Sequence, residues 1–145
     1  MIPAFAPYVE PVGVGDLFAR ADVISIHTPL NDQTRGMVNA ELLERMKPGS
    51  YLVNTARGAV INIGDLAARL DRFDGVGLDV LPVEPMPRDS SLLAAKNVIL
   101  SPHSAYYTVD VARELRRKAA QNIVTWMDTG RPDYPVVSGQ RAAPR

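Results

Sequence analysis

The chain contains no cysteine, only two histidines and no long apolar run. Without cysteine, disulfides, zinc sites built on thiolates and a cysteine nucleophile are excluded, and we predict no metal site. No apolar run approaches the ~20 residues that a membrane-spanning helix requires, so we expect no membrane partner. The first residues lack a basic segment and include two prolines, which is unlike a secretory signal. We therefore expect a soluble, cytoplasmic protein.

The charge of the chain also has no excess of either sign. Lysine and arginine total 16, aspartate and glutamate total 16, and the formal net charge is zero. A neutral chain offers no electrostatic attraction for nucleic acid, so none is expected as a partner. The length of 145 residues suggests one domain.

Short apolar runs rich in β-branched residues predict strands, and capping residues predict where helices begin. Asn39 and Thr108 are expected helix caps, and Asn62 with Asp65 is similar to a capping box. In the last helix, apolar residues are spaced to lie on one face; they are Val111, Leu115, Ala119, Ile123 and Trp126. The predicted strands are 23–27, 51–55, 76–80 and 97–100, and the predicted helices are 16–21, 40–46, 62–70 and 108–127.

Because the predicted strands are uniformly apolar and alternate with helices, they favour an α/β fold with a parallel sheet and helices on both faces. Reactive groups in such sheets lie just past the carboxyl ends of the strands. The side chains expected there are Thr28, Arg57, Asp79 and His103, and Glu84 follows in a proline-rich loop. Taken one at a time, each could be a surface or turn residue. Together they would suit proton-coupled chemistry on a small anionic substrate.

Three blocks of sequence carry a resemblance to a known family. MKPGSYLVNTARGAVIN, GVGLDVLPVEP and NVILSPHSA, together with HTPL at positions 27–30, resemble the signature blocks of the D-isomer-specific 2-hydroxyacid dehydrogenases. That family includes phosphoglycerate, glycerate and D-lactate dehydrogenases, and the resemblance spans roughly residues 21–137. It implies a Rossmann-like sheet with a long carboxyl-terminal helix. It also implies an NAD(P)-dependent oxidoreductase that acts on the CH–OH group of a small 2-hydroxy acid.

The resemblance assigns catalytic roles to three residues. Arg57 matches the arginine that holds the substrate carboxylate, a task suited to the planar fork of a guanidinium. His103 matches the general acid and base, and imidazoles in general exchange protons near neutral pH. Glu84 matches the acid that pairs with this histidine.

The resemblance also implies a set of cofactor-facing positions, among which Asp79 matches an aspartate near the nicotinamide carboxamide. NAD is the expected cofactor, and NADP stays open because Ala6 stands where an acid normally selects the adenosine ribose. The implied cofactor-binding residues are Thr28, Thr55, Ala56, Arg57, Asp79, His103, Ser104 and Ala105.

The chain departs from the family at its beginning, because no GxGxxG motif occurs anywhere in it. Residues 2–9 resemble the family's second strand. We therefore expect a fragment, in which residues 1–137 form a partial dinucleotide-binding domain that lacks the first strand and the glycine-rich loop, and residues 138–145 form a tail. We expect weak or absent NAD binding by the isolated chain.

Two functions remain open from the sequence. The first is the oxidoreductase, working on a small 2-hydroxy or 2-keto acid. The second is a non-catalytic, truncated remnant that serves as a dimerisation or partner-binding module. A missing central strand would leave unpaired sheet edges, which favour a homodimer or a complementing chain.

Overall fold

The computed structural model describes residues 8–135. They form two compact units, residues 8–105 and residues 106–135. Of the segment 2–9, only Tyr8 and Val9 are described, and neither lies in a strand. Ala6 and the predicted tail 138–145 lie outside the described residues, so the expectations placed on them stay predictions.

The first unit is built on a parallel sheet of four strands in the order β1-β2-β3-β4. Sequential order with parallel pairing requires a crossover between neighbouring strands, as the alternating pattern predicted. The predicted strands are confirmed. The third, β3, begins three residues before its predicted start, because Asp74 and Gly75 interrupt the apolar run from which the start was predicted. The strands are β1 (Val23–Ile26), β2 (Ser50–Asn54), β3 (Phe73–Leu78) and β4 (Val98–Leu100).

One face of this sheet is covered by three short helices, α1 (Val14–Arg20), α2 (Ala40–Arg45) and α3 (Ile63–Ala67). The helices contribute one fully or nearly buried side chain each, at Phe18, Leu43 and Leu66. These pack with alternate residues of the strands, since side chains of a strand point to opposite faces in turn. The buried strand residues of this core include Ile24, Ile26, Leu52, Val76 and Leu78.

The opposite face of the sheet has a different character. Val23 of β1, Tyr51 of β2 and Ile99 of β4 are 62%, 46% and 76% exposed. Gly75 lies beneath the Tyr51 ring, where an added methyl group would come within 2.8 Å of a ring carbon. The sheet therefore presents an apolar face alongside the buried one, which explains why its strands are apolar at nearly every position.

Two asparagines begin the helices as predicted. The Asn39 side chain accepts a hydrogen bond from the Leu42 amide, and Asn62 accepts from the Gly64 and Asp65 amides. The capping-box assignment of Asp65 is wrong, because its carboxylate accepts from the Ala40 amide at 3.0 Å instead. This contact ties α3 to the start of α2. The helix also ends earlier than expected, and residues 70–72 form a separate 3₁₀ turn.

The second unit contains one long helix, α4 (Val109–Thr129). Thr108 caps it as predicted, accepting the Val111 amide at 3.0 Å, and Gly130 ends it with a left-handed φ of 72°. The predicted apolar spacing is present, yet no residue of the helix is buried, and Trp126 is 51% exposed. Among the described residues, no helix combines the length and apolarity needed to cross a membrane.

Candidate active site

The four parallel strands end at one edge of the sheet, and the predicted site residues follow them. Three of these residues, Arg57, Glu84 and His103, line a single cavity of about 240 Å³. The cavity walls also include the apolar side chains of Leu30 and Leu81. A cation, a carboxylate and an imidazole thus face one small space with apolar surroundings.

Glu84 and His103 form a hydrogen-bonded pair. The Nδ1 atom of His103 lies 2.9 Å from Oε2 of Glu84, and Oε1 of Glu84 accepts the Leu81 amide at 2.8 Å. The Leu81 amide, followed by His103, lowers the pKa of the Glu84 carboxyl below its ordinary value. Because an ionised carboxylate can only accept hydrogen bonds, the shared proton belongs to Nδ1. In the neutral ring the lone pair is then on Nε2, the atom that can take a proton.

Asp79 follows β3 and is buried, with 5% of its surface exposed. Its Oδ1 accepts the Ser101 hydroxyl at 2.5 Å and the Ser104 amide at 2.9 Å, and its Oδ2 accepts the Ala105 amide at 2.9 Å. Burial by itself would raise the pKa of this carboxyl. The hydrogen bonds from Ser101, Ala105 and Ser104 outweigh it, so the pKa lies below the ordinary value.

The backbone of His103 has a φ of 53°, which is uncommon for a residue with a side chain. Such a conformation costs of order 1–3 kcal/mol and persists when its surroundings fix it. Here the His103 amide donates to the carbonyl oxygens of Asp79, at 2.9 Å, and of Ser101, at 3.0 Å. The position of the imidazole therefore depends on the backbone of the Asp79 loop.

A buried asparagine shapes the turn that carries Arg57. The Asn54 side chain donates to the Arg57 carbonyl and accepts the Ala56 amide, each at 3.0 Å. Next to this turn, a methyl group on Gly58 would lie 2.0 Å from the carbonyl carbon of Leu81. The turn after Arg57 and the backbone of Leu81 therefore pack so closely that only the hydrogen atom of a glycine fits between them. The amide of Leu81 in turn binds Glu84.

A second cavity, of about 530 Å³, lies where β1 and β2 end. Arg57 lines both this cavity and the one shared with His103. Two other residues expected to face a cofactor, Asp79 and His103, do not line this second cavity. They line a third cavity, of about 480 Å³. Ser104 and Ala105 contribute the amides that hold Asp79. The residues lining the second cavity are His27, Thr28, Pro29, Leu30, Thr55, Ala56 and Arg57.

Three residues of this region were not singled out by the sequence. Asn54 could have been noticed as a polar residue inside an apolar strand, and Ser101 as a hydroxyl just before the Pro102–His103 turn. His27 lies in the HTPL block without a predicted role; it lines the second cavity, and its Nε2 lies 2.7 Å from the Ser25 hydroxyl.

We expect the close approach at Gly58 to make this position intolerant of any side chain. Gly58→Ala should lower the free energy of unfolding by about 1–3 kcal/mol, because the backbone of Leu81 must move. Urea unfolding measures the change. The matched control is Gly64→Ala, where the new methyl group meets its nearest atom at 3.5 Å. This substitution inside α3 should stabilise the chain by about 0.5–1 kcal/mol, and equal losses in both variants would contradict the packing argument.

The lowered pKa of Asp79 should make part of the stability depend on pH. A carboxyl whose pKa is lower in the folded chain than in the unfolded chain stabilises the fold at pH values above its ordinary pKa of 3.8. That contribution is lost as the pH falls through the folded-state pKa. Asp79→Asn should therefore destabilise the chain most at neutral pH, and the difference from the unsubstituted chain should shrink as the pH falls below 3.8. Chemical unfolding across this range tests it. A difference that stayed constant with pH would show that Asp79 acts through packing alone.

Comparison with known proteins places this geometry in a family. Residues 4–105 match the family described as the NAD-binding domain of D-isomer specific 2-hydroxyacid dehydrogenases. A glyoxylate reductase from Thermofilum pendens is 36% identical over 120 residues, which cover 81% of this chain and 35% of the relative. A D-specific alpha-keto acid dehydrogenase from Enterococcus faecalis is 33% identical over 136 residues, covering 83% of this chain and 41% of the relative.

Solved structures agree. The crystal structure of a glyoxylate reductase from Paecilomyes thermophila matches with a TM-score of 0.87 and 30% identity, over 94% of this chain and 42% of that one. D-lactate dehydrogenase with NAD+ from Lactobacillus jensenii matches with a TM-score of 0.85 and 28% identity, over 94% and 46%. The chain spans about a third to two fifths of the length of these curated relatives. The chain belongs to the NAD-binding domain family of the D-isomer specific 2-hydroxyacid dehydrogenases, as its sequence blocks indicated.

Proposed function

We propose that this chain carries the acid–base and carboxylate-binding groups of an NAD(P)-dependent oxidoreductase that acts on the CH–OH group of a small 2-hydroxy acid. The observation that supports this most is the single cavity shared by Arg57, Glu84 and His103. Its volume of about 240 Å³ suits a substrate of only a few heavy atoms. Relatives named glyoxylate reductase, hydroxypyruvate reductase and (S)-sulfolactate dehydrogenase support the same class of small acid.

Arg57 would bind the substrate carboxylate. Its guanidinium can donate two parallel hydrogen bonds to a carboxylate, which fixes the orientation of the acid as well as its place. The side chain is exposed, and its Nη1 donates to the Ala56 carbonyl at 2.6 Å. This bond restrains the head group at the boundary of the two cavities.

His103 would move the proton. Glu84 holds the ring through Nδ1, so the neutral imidazole can take the substrate hydroxyl proton on Nε2 as the alcohol is oxidised. In the reduction of a 2-keto acid, the imidazolium returns that proton to the carbonyl oxygen. The ionised Glu84 stabilises the positive ring that forms during oxidation.

The residues around the second cavity fit a nicotinamide. Thr28 and Thr55 supply hydroxyls and Pro29, Leu30 and Ala56 supply apolar surface, a combination typical of cofactor sites. When bound, the nicotinamide supplies or accepts the hydride. Asp79, Ser104 and Ala105 would border the site from the side of the His103 loop. Related structures are described with NAD+ and with NADPH, so the proposal covers both cofactors.

Titration of purified chain with NADH, followed by its fluorescence, tests the proposal, together with NADH consumption in the presence of glyoxylate. We expect weak, saturable binding and slow turnover. His103→Ala should reduce turnover by about 10²-fold or more, which is the usual contribution of a general acid or base. Arg57→Ala should also weaken the effect of glyoxylate on NADH consumption. Arg35→Ala should not, because Arg35 is exposed and lines none of the three cavities.

The interpretation of this experiment depends on folding. Circular dichroism must show that each variant retains its helices. A folded chain that gives no NADH signal at any concentration would contradict oxidoreductase activity of the isolated chain. It would mean that Arg57, Glu84 and His103 are inherited residues without activity in this chain.

A partner forms part of the proposal, and the apolar sheet face supports it. We propose that Val23, Tyr51 and Ile99 are covered by a second copy of the chain or by a complementing chain, because all three are apolar and exposed on one face of the sheet. A non-catalytic dimerisation module, the second candidate function, would use the same face. Localisation in the cytoplasm stays a prediction.

Sedimentation velocity at increasing concentration distinguishes the two partners. Self-association that Ile99→Lys weakens at least tenfold would identify a second copy, because a buried charge without a partner is costly. Leu17→Lys, at a half-exposed position on α1, should leave association unchanged. A chain that sediments as a monomer at every concentration would refute the homodimer.

A further inference from the structure

The Ser101 hydroxyl connects the ends of two neighbouring strands. Ser101 follows β4, Asp79 follows β3, and the strands are paired in parallel, so the two residues emerge side by side. The hydroxyl donates to Oδ1 of Asp79 at 2.5 Å, and the Ser101 amide donates to the Leu78 carbonyl at 3.1 Å. Ser101 is thus attached to the Asp79 strand by both its side chain and its backbone.

Asp79 in turn holds the loop at His103 and at the two residues that follow it. Its carbonyl accepts the amide of His103 itself, and its carboxylate accepts the amides of Ser104 and Ala105. The loop includes a left-handed backbone at His103, with φ 53°. A loop in this conformation is maintained by its hydrogen bonds, and the Asp79 carboxylate receives two of them.

The orientation of the carboxylate is therefore important. The terminal torsion of an aspartate is broad and roughly two-fold, so the side chain does not fix it unaided. The amides of Ser104 and Ala105 each bind one oxygen, but both belong to the loop that is to be positioned. Among the described residues, Ser101 supplies the remaining side-chain hydrogen bond to this carboxylate, and it lies on the strand side of the loop.

We propose that Ser101 is a positioning residue for His103. Its hydroxyl fixes the Asp79 carboxylate, which holds the His103 loop in the conformation that directs Nδ1 of the imidazole to Glu84. The inference rests on the proposed function, in which His103 carries the proton. The required group is a small hydroxyl at position 101, so threonine should replace serine and alanine should not.

Nitrogen NMR of the histidine rings tests the proposal without cofactor or substrate. The chain contains only two histidines, and His103→Gln assigns their signals. In the unsubstituted chain we expect a single tautomer of His103, protonated at Nδ1, with slow exchange of that proton. In Ser101→Ala we expect mixed tautomers and exchange of the Nδ1 proton about tenfold faster, corresponding to the loss of one hydrogen bond.

Three variants control the measurement. Glu84→Ala should mix the tautomers by removing the acceptor itself. Ser101→Thr should restore the single tautomer and the slow exchange. Ser91→Ala, at an exposed position in the 3₁₀ turn that precedes β4, should leave both unchanged. Backbone amide spectra show whether the sheet is intact in each variant, and the Thr variant provides a second test if the Ala variant unfolds.

The outcomes separate this proposal from the proposed function. A single Nδ1-protonated tautomer in a folded Ser101→Ala chain would overturn the positioning role, and so would mixed tautomers in Ser101→Thr. Loss in the Ala variant with recovery in the Thr variant would support it. If that result accompanied an absence of NADH binding, the positioning role would stand and the oxidoreductase activity of this chain would not.

Discussion

The loop that carries His103 depends on the hydrogen bonds of one buried group, the carboxylate of Asp79. A carboxylate with 5% exposure is stable only if it is well hydrogen-bonded, and it accepts the Ser101 hydroxyl next to β4 and two amides of the His103 loop. The dependence is mutual, because the loop needs the carboxylate to hold an uncommon backbone conformation at His103. A charge that is expensive to bury thus fixes the place of an exposed histidine.

The loops around Asp79 add the second constraint, which is the distance between them. Asn54 closes the Arg57 turn through its amide, and Gly58 lets that turn touch the backbone of Leu81. The Leu81 amide binds one oxygen of Glu84, and His103 binds the other. Arg57 and Glu84 are therefore related through contacts that involve the backbone, and Glu84 reaches His103 through a hydrogen bond between the two side chains.

The sequence predicted the type and order of the elements because their signals are local. Apolar runs predicted the strands, Asn39 and Asn62 predicted the helix starts, and Arg57 and His103, expected past the strand ends, line one cavity. The contacts that organise the site are not local. Ser101 and Asp79 are 22 residues apart, and Asp65 reaches Ala40 across 25 residues. The exposure of α4 could not be predicted either, since its apolar spacing is the same whether that face of the helix is covered or open to solvent.

Arg57 has a consequence for how two ligands would share this edge. It lines both the cavity of Glu84 and His103 and the cavity of Thr28 and Thr55. A carboxylate held by Arg57 would place the adjacent carbon at the boundary between the cavities, with the proton carrier on one side. The hydride carrier would have to approach from the other side. In the proposed function, the hydride would leave the carbon and the proton would leave the oxygen of the same CH–OH group, each toward a different cavity.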